Sequence, residues 1–254
     1  MASKELTAAL EAVQAAAEVI RAYYGRNPSV RIKPDASPVT EADVRSEEVI
    51  HATLAKAFPG YGFYGEETGE HAMDAESIWL VDPIDGTKSF VREAPFFSTQ
   101  IALMRAGELV LGVSNAPAYN ELAWAEKGSG AFLNNQPVRV SGVSTLAEAF
   151  VSTGNVKTLA RAPFWERMGR LIQHVERIRG YGDFVHYHLL ARGSIDVVIE
   201  TDVNILDIAA LTVLVREAGG TFTDISGAAV GLRTTSVLAT NGVLHETLLA
   251  ALTR

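Results

Sequence analysis

The chain has 254 residues, 48% apolar and 20% charged, with 22 Lys plus Arg against 30 Asp plus Glu and a formal charge of −8. That length permits one large or two modest domains with a sizeable core, and so acidic a balance argues against nucleic-acid binding and against docking on anionic lipid. Cysteine is absent, which excludes a disulfide scaffold, cysteine-ligated zinc and any thiolate nucleophile.

The opening Met1-Ala2-Ser3-Lys4-Glu5 leads into a charged amphipathic stretch without the apolar core of a signal peptide. No apolar run approaches the roughly 18 residues of a membrane span, so a soluble cytoplasmic protein is expected. Leu6, Leu10, Val13, Ala17, Ile20 and Tyr24 alternate at helical spacings, predicting one helix closed by Gly25. Residues 26–39 hold Pro28, Pro34 and Pro38 and read as loop. Thr40 and Asp43 then have the form of a capping box. The helix they start carries Ile50, Leu54 and Phe58 on one face and stops at Pro59-Gly60.

Short strand-like runs follow at Phe63-Tyr64, Ile78–Val81, Phe97–Met104, Leu109–Ser114 and Glu121–Ala125, with a hairpin turn at Arg105–Glu108. Residues 127–136 are turn-rich, and Pro137–Ser141 resembles an edge strand. The pattern changes near residue 142. Beyond it, strands at Phe150–Ser152, Ile178-Arg179 and Ile195–Glu200 alternate with helices around Phe164–Val175, Phe184–Arg192 and Asp207–Ala218, and a last helix starts near Asn241. An α/β protein of two layered halves, 1–142 and 143–254, is expected.

The segment Trp79-Leu80-Val81-Asp82-Pro83-Ile84-Asp85-Gly86-Thr87-Lys88 carries the most chemistry. An apolar strand delivers Asp82, and Pro83 pushes it towards an extended backbone. The turn can then aim Asp82, Asp85 and the Ile84 carbonyl at one point, a donor set suited to a hard cation, Mg²⁺ above all. Gly86 permits close approach to the backbone, and a helix starting at Thr87 would face an anion. The same five residues are also ordinary turn chemistry, with both aspartates capping the backbone. Two more acidic sites stand apart from it. Glu66-Glu67 follows a short strand, and such neighbours repel unless solvated or bridged by cations. Asp207 lies near the start of an apolar helix, where it serves as metal ligand or as N-cap.

Gly65-Glu66-Glu67, Asp82-Pro83-Ile84-Asp85-Gly86-Thr87 and Asp207-Ile208-Ala209-Ala210 with Glu217-Ala218-Gly219-Gly220 together resemble the inositol monophosphatase family of metal-dependent phosphatases. Order and spacing match over nearly the whole chain. The resemblance implies a layered α-β-α-β-α sandwich of the inositol monophosphatase and fructose-1,6-bisphosphatase type, commonly a homodimer. It implies that Glu66, Asp82, Asp85, Asp207 and the Ile84 carbonyl bind two or three Mg²⁺ ions, and that Gly86 and Thr87 hold the phosphate of a small-molecule monoester. Thr87 and Glu66 would position and deprotonate the attacking water, with Asp43 as outer support. One departure is Leu206, where the family usually has tryptophan; it removes no ligand.

Asp-Gly-Thr-Lys-Ser-Phe at 85–90 and Arg179-Gly180-Tyr181-Gly182-Asp183-Phe184 look more like the histidinol-phosphate phosphatase branch than the inositol branch. Histidinol phosphate carries an ammonium and an imidazole, so its pocket should offer extra carboxylates, with Asp183 and Glu200 as candidates. Helix capping by Asp183 and a solvated rim position for Glu200 are the structural alternatives. Alternative functions are hydrolysis of inositol-1-phosphate, a sugar phosphate or a bisphosphorylated nucleotide, or a catalytically silent metal-binding module. Gly60-Tyr61-Gly62-Phe63-Tyr64-Gly65 matches a dinucleotide fingerprint but follows a helix and leads into acids, so it is set aside. His186 and His188, two apart, are expected at a surface or at the site's mouth. Trp79, Trp124 and Trp165 are expected in the core, and no Ser-His pair has a recognisable context.

Overall fold

The structure, a computed structural model, describes residues 2–26, 30–33 and 38–253. Helix α1 (Lys4–Tyr23) begins where the Ser3 hydroxyl accepts the Leu6 N–H at 2.9 Å and ends before Gly25, whose φ is +72°. Short strands β1 (Val30–Ile32) and β2 (Pro38–Thr40) pair antiparallel, so the segment read as loop contains a ribbon. Pro28 and Pro34 of that segment lie outside the described residues. Helix α2 (Glu41–Ala57) starts with the expected Thr40–Asp43 capping box.

Next come β3 (Gly62–Gly65), β4 (Gly69–His71), β5 (Ser77–Asp85), the short helix α3 (Thr87–Val91), β6 (Ser98–Arg105), β7 (Glu108–Ala116), β8 (Glu121–Glu126), β9 (Ala131–Leu133) and β10 (Gln136–Val138). They form an eight-stranded sheet ordered β10-β9-β8-β7-β6-β5-β3-β4, antiparallel except where β3 runs parallel to β5. Both β4 and β9 escape the hydropathy pattern, being three residues long and set among turns. After a 3₁₀ turn at Leu146–Glu148 come β11 (Phe150–Thr153), α4 (Val156–Leu159), α5 (Trp165–Leu171), β12 (Arg177–Arg179), α6 (Asp183–Ala191), β13 (Val197–Thr201), α7 (Ile205–Glu217), β14 (Thr221–Thr223), β15 (Ser236–Thr240) and α8 (His245–Thr253). The second sheet is ordered β12-β11-β13-β15-β14. Helix α4 and strands β14 and β15 are also left out by the pattern.

Alternation along the strands sorts side chains onto the two faces of each sheet. Trp79, Val81, Ile101 and Leu103 pack against α1 and α2. Their neighbours Ile78, Leu80, Ala102 and Met104 face α6 and α7. That same core takes Val198, Phe222 and Ala239 from the second sheet, whose opposite face presents Val197, Ile199 and Leu238 to α5 and α8. The result is the α-β-α-β-α order of layers. Helix α7 is apolar nearly all round because it lies between two sheets. Gly112 of β7 lets it sit close, since a Cβ there would overlap the Ala210 backbone. Leu206 is buried in this central core. Trp79 is a core residue as expected, but Trp124 is half-buried and Trp165 lies 36% exposed, each at the rim of an apolar run. Among the described residues no helix is long and apolar enough to cross a membrane.

Candidate active site

The register between β5 and β6 breaks between Asp82 and Asp85. A bulge of this kind re-aims side chains out of a ladder. Asp82 Oδ1 accepts the Ile84 N–H at 2.9 Å, closing the turn on itself. Gly86 then adopts φ +90°, and a Cβ on it would lie 2.5 Å from the Phe96 carbonyl oxygen. Only glycine fits both demands. Helix α3 does start at Thr87, the condition set for the turn to face an anion. Thr87 Oγ1 is 3.0 Å from both Asp43 Oδ1 and the Ile84 carbonyl oxygen. Asp43 is buried, and its other oxygen accepts the Thr40 N–H at 2.8 Å and the Thr40 hydroxyl at 2.6 Å. Burial raises the Asp43 pKa, while the Thr40 and Thr87 hydrogen bonds oppose it.

Asp207 arrives from the other half of the chain. It is not the N-cap of α7 but the third helical residue: Asn204 caps, and its N–H donates to Asp207 Oδ2 at 2.8 Å. The carboxylates of Asp82, Asp85 and Asp207 each place an oxygen within 4.8 Å of the others. Such crowding favours the protonated forms. Burial raises Asp82, with Glu66, Asp85 and Asp207 adding to it. Asp85 is raised by burial and then by Asp207, Asp183 and Glu200. Asp207 is pushed up to about 7, mainly by burial, against its Asn204 hydrogen bonds.

Glu66 stands beside Asp82, and its Oε2 is buried without a hydrogen-bond partner among the described residues. A cation does bridge Glu66 and Glu67: Lys33 Nζ lies 3.0 Å from Glu66 Oε1 and 2.6 Å from Glu67 Oε1. Burial works against the Lys33 charge, but Glu67 and Glu66 outweigh it and hold its pKa above the ordinary lysine value. Glu47, fully buried on α2 one turn after Asp43, accepts the Glu67 and Thr68 N–H groups at 2.9 and 2.7 Å. Its helical spacing from Asp43 was the available signal. Lys33 carried none, because a lone lysine in a proline-rich stretch is otherwise solvated.

Asp183 and Glu200 converge on the same place. A cavity of about 40 Å³ is lined by Asp85, Asp183, Tyr187, Glu200 and Asp207. Asp183 opens α6 at φ +47°, makes no capping hydrogen bond, and has its pKa raised to about 6 by burial and by Glu200. Glu200 is 4% exposed and is not a rim residue. Its Oε2 accepts the Tyr187 hydroxyl at 2.8 Å and lies 3.1 Å from His186 Nε2.

His186 and His188 are both buried, contrary to expectation, because α6 is covered on both sides. Each stands in a Ser–His–Glu line: Ser152–His186–Glu200 and Ser114–His188–Glu121. Sequence gives no sign of these, since each serine comes from a distant strand. Ser152 and Ser114 are 0% and 2% exposed, so neither hydroxyl is offered to an ester as a nucleophile.

Two sheets layered with helices bring acids from both halves of the chain around one point, a group that could hold a hard cation. The chain belongs to the inositol monophosphatase family, whose model matches residues 1–254. It is 40% identical over 258 residues to a histidinol-phosphatase of Mycobacterium tuberculosis, covering 99% of each chain. It is 37% identical over 231 residues to an inositol-1-monophosphatase of Mesorhizobium japonicum, covering 89% of this chain and 86% of that one. Among solved structures, the extragenic suppressor protein suhB of Bartonella henselae superposes with a TM-score of 0.91 at 33% identity over 99% of each chain.

Proposed function

We propose that the protein is a Mg²⁺-dependent phosphate monoester hydrolase whose preferred substrate is L-histidinol phosphate. The observation that carries this is the shared cavity: the Asp85 and Asp207 cluster continues directly into the second carboxylate pair, Asp183 and Glu200. The first group suits cations that meet a phosphate, and the second suits a substrate ammonium or imidazolium. Relatives named histidinol-phosphatase support the same choice, and inositol-1-phosphate is the alternative that other relatives favour.

The residues fit the metal. Three crowded carboxylates with raised pKa values and an orphaned Glu66 Oε2 are what a divalent ion relieves. Glu66, Asp82, Asp85, Asp207 and the Ile84 carbonyl would hold two or three ions. When bound, they supply neutralisation of the phosphate dianion, a lowered pKa for water and support for the leaving oxygen. Gly86 and Thr87 head the turn that receives the phosphate. The Thr87 hydroxyl proton is committed to Asp43 or to the Ile84 carbonyl, leaving its oxygen to accept from, and so to aim, an attacking water. Asp43 holds that hydroxyl in place, itself fixed by Thr40. Glu66 accepts the water proton. Asp183 and Glu200 orient the alcohol half of the ester through its cationic groups.

The test is phosphate release from L-histidinol phosphate, inositol-1-phosphate and glycerol 2-phosphate in Mg²⁺. The proposal requires the highest kcat/KM on the first. A higher value on inositol-1-phosphate moves the substrate assignment, and no release from any ester overturns the enzyme. The proposal includes a homodimer working in the cytoplasm; sedimentation at a monomer mass would remove the first part.

A further inference from the structure

Glu200 carries two donors on one oxygen and none on the other among the described residues. The hydrogen-bond directions form one consistent chain. The Tyr181 N–H donates to Ser152 Oγ at 3.3 Å. With that oxygen accepting, the Ser152 hydroxyl donates to His186 Nδ1, 3.2 Å away. A neutral imidazole with Nδ1 accepting has its proton on Nε2, which donates to Glu200 Oε2 at 3.1 Å. The Tyr187 hydroxyl adds a second donor at 2.8 Å. Every polar atom of His186 is thereby used, as a fully buried imidazole requires.

The chain reaches both carboxylates of the second pair. At one end it grips Glu200. At the other, through Ser152, it grips the backbone of Tyr181, two residues before Asp183, whose φ of +47° must be held against the preference of an L-residue. Gly154 stands beside Glu200 Oε1, and a Cβ on it would overlap that oxygen. Glycine keeps the space open while His186 and Tyr187 fix the opposite oxygen.

We propose that His186 is the positioning residue for recognition of the substrate's cationic half: through Glu200 on one side and Ser152–Tyr181 on the other, it sets the spacing of the two carboxylates that receive an ammonium or imidazolium. This deepens the histidinol-phosphate proposal and rests on it. His186 touches no reacting atom; it acts by fixing the Glu200 carboxylate at the cavity it shares with Asp183, Asp85 and Asp207.

The experiment compares wild type, His186→Leu, His186→Gln, Tyr187→Phe and Gly154→Ala, each with its folding checked by thermal melt. The readout is the ratio of kcat/KM for L-histidinol phosphate over glycerol 2-phosphate, an ester without a cation. Binding of L-histidinol itself is followed by calorimetry. Losing a hydrogen bond to a buried charge predicts a fall in that ratio of about ten- to a hundredfold for His186→Leu, carried mostly by KM. Glutamine, which can donate where Nε2 does, restores most of it. Gly154→Ala displaces Glu200 without touching the imidazole and lowers the ratio in the same way. Tyr187→Phe lowers it less. L-histidinol affinity follows the same order.

Equal losses on both esters, or a ratio unchanged in His186→Leu and Gly154→Ala, overturn the proposal. If His186→Leu does not fold, the glutamine, phenylalanine and alanine variants decide it. An enzyme inactive on every ester fails the proposed function instead. Wild type that hydrolyses esters but binds no L-histidinol fails this inference alone.

Discussion

Stripping divalent cations from the protein and raising the pH from about 5 to about 8 should destabilise it in part through Asp207, beside the other raised carboxylates, and substituting that residue should reduce the effect. The folded pKa of Asp207 is about 7, against 3.8 for an ordinary aspartate. Between those values the folded state keeps a proton that the unfolded chain has lost. Stability from this group is therefore complete below about pH 4 and is lost as pH rises towards 7. From pH 5 to 7 the loss is about 2 kcal/mol, since the slope of 1.36 kcal/mol per pH unit falls off as the folded group itself ionises near 7. For a chain of this size that lowers Tm by about 4–8 °C. Buried His188 and His245, whose pKa values are lowered, act in the opposite direction over part of the range. The informative quantity is therefore the difference between wild type and Asp207→Asn. The variant loses one of the two Asn204 hydrogen bonds at any pH, a constant offset that leaves the slope untouched. In thermal melts with chelator, wild type should lose more Tm than the variant between pH 5 and 8, and Mg²⁺ should restore wild type most at the alkaline end. Parallel profiles for the two proteins would refute the idea that charge crowding strains the metal-free cluster.

Asp85→Asn should abolish phosphate release while leaving the melt intact or raised, since it takes a charge out of a repulsive cluster; unchanged turnover would remove Asp85 from the ligand set. Lys33→Met should tighten Mg²⁺ binding severalfold by calorimetry, because the ammonium occupies the oxygens of Glu66 and Glu67; weaker binding would show that Lys33 assists the cations instead of competing with them. Gly86→Ala forces a side chain onto a φ of +90° against the Phe96 carbonyl, a loss of about 1–3 kcal/mol that should lower Tm by several degrees and reduce turnover. A variant with normal Tm and kcat would show that the turn has room for a Cβ.

Much of the fold follows from local rules that a sequence displays. The Thr40–Asp43 capping box, the helix closed at Gly25 and the alternating faces of β5 and β6 depend on residues a few positions apart. So does the turn at 82–87, whose proline and glycines limit the backbone to few paths. Strands of three residues such as β4, β9 and β14 have too short a pattern to declare themselves; pairing with longer neighbours makes them strands. The site divides in the same way. Asp82, Asp85 and Thr87 sit in one readable turn, whereas Glu66 and Asp207 are acids with an equally good structural reading until resemblance to a family joins them to it.

Sequence alone determined the chemistry on offer: many acids, no thiol, and a turn shaped for a hard cation. Tertiary structure decided which groups meet. Asp207 reaches Asp82 only because α7 is pressed onto β7, where Gly112 leaves room for Ala210. Lys33 became the counter-charge of Glu66 and Glu67, and His186 went from a presumed surface histidine to a buried clamp on Glu200. These partners lie 14 to 34 residues apart in the chain, beyond the range of any helical or strand period. Tertiary packing alone brings them to hydrogen-bonding distance, and burial between two sheets removes the water that would otherwise screen His186 from Glu200.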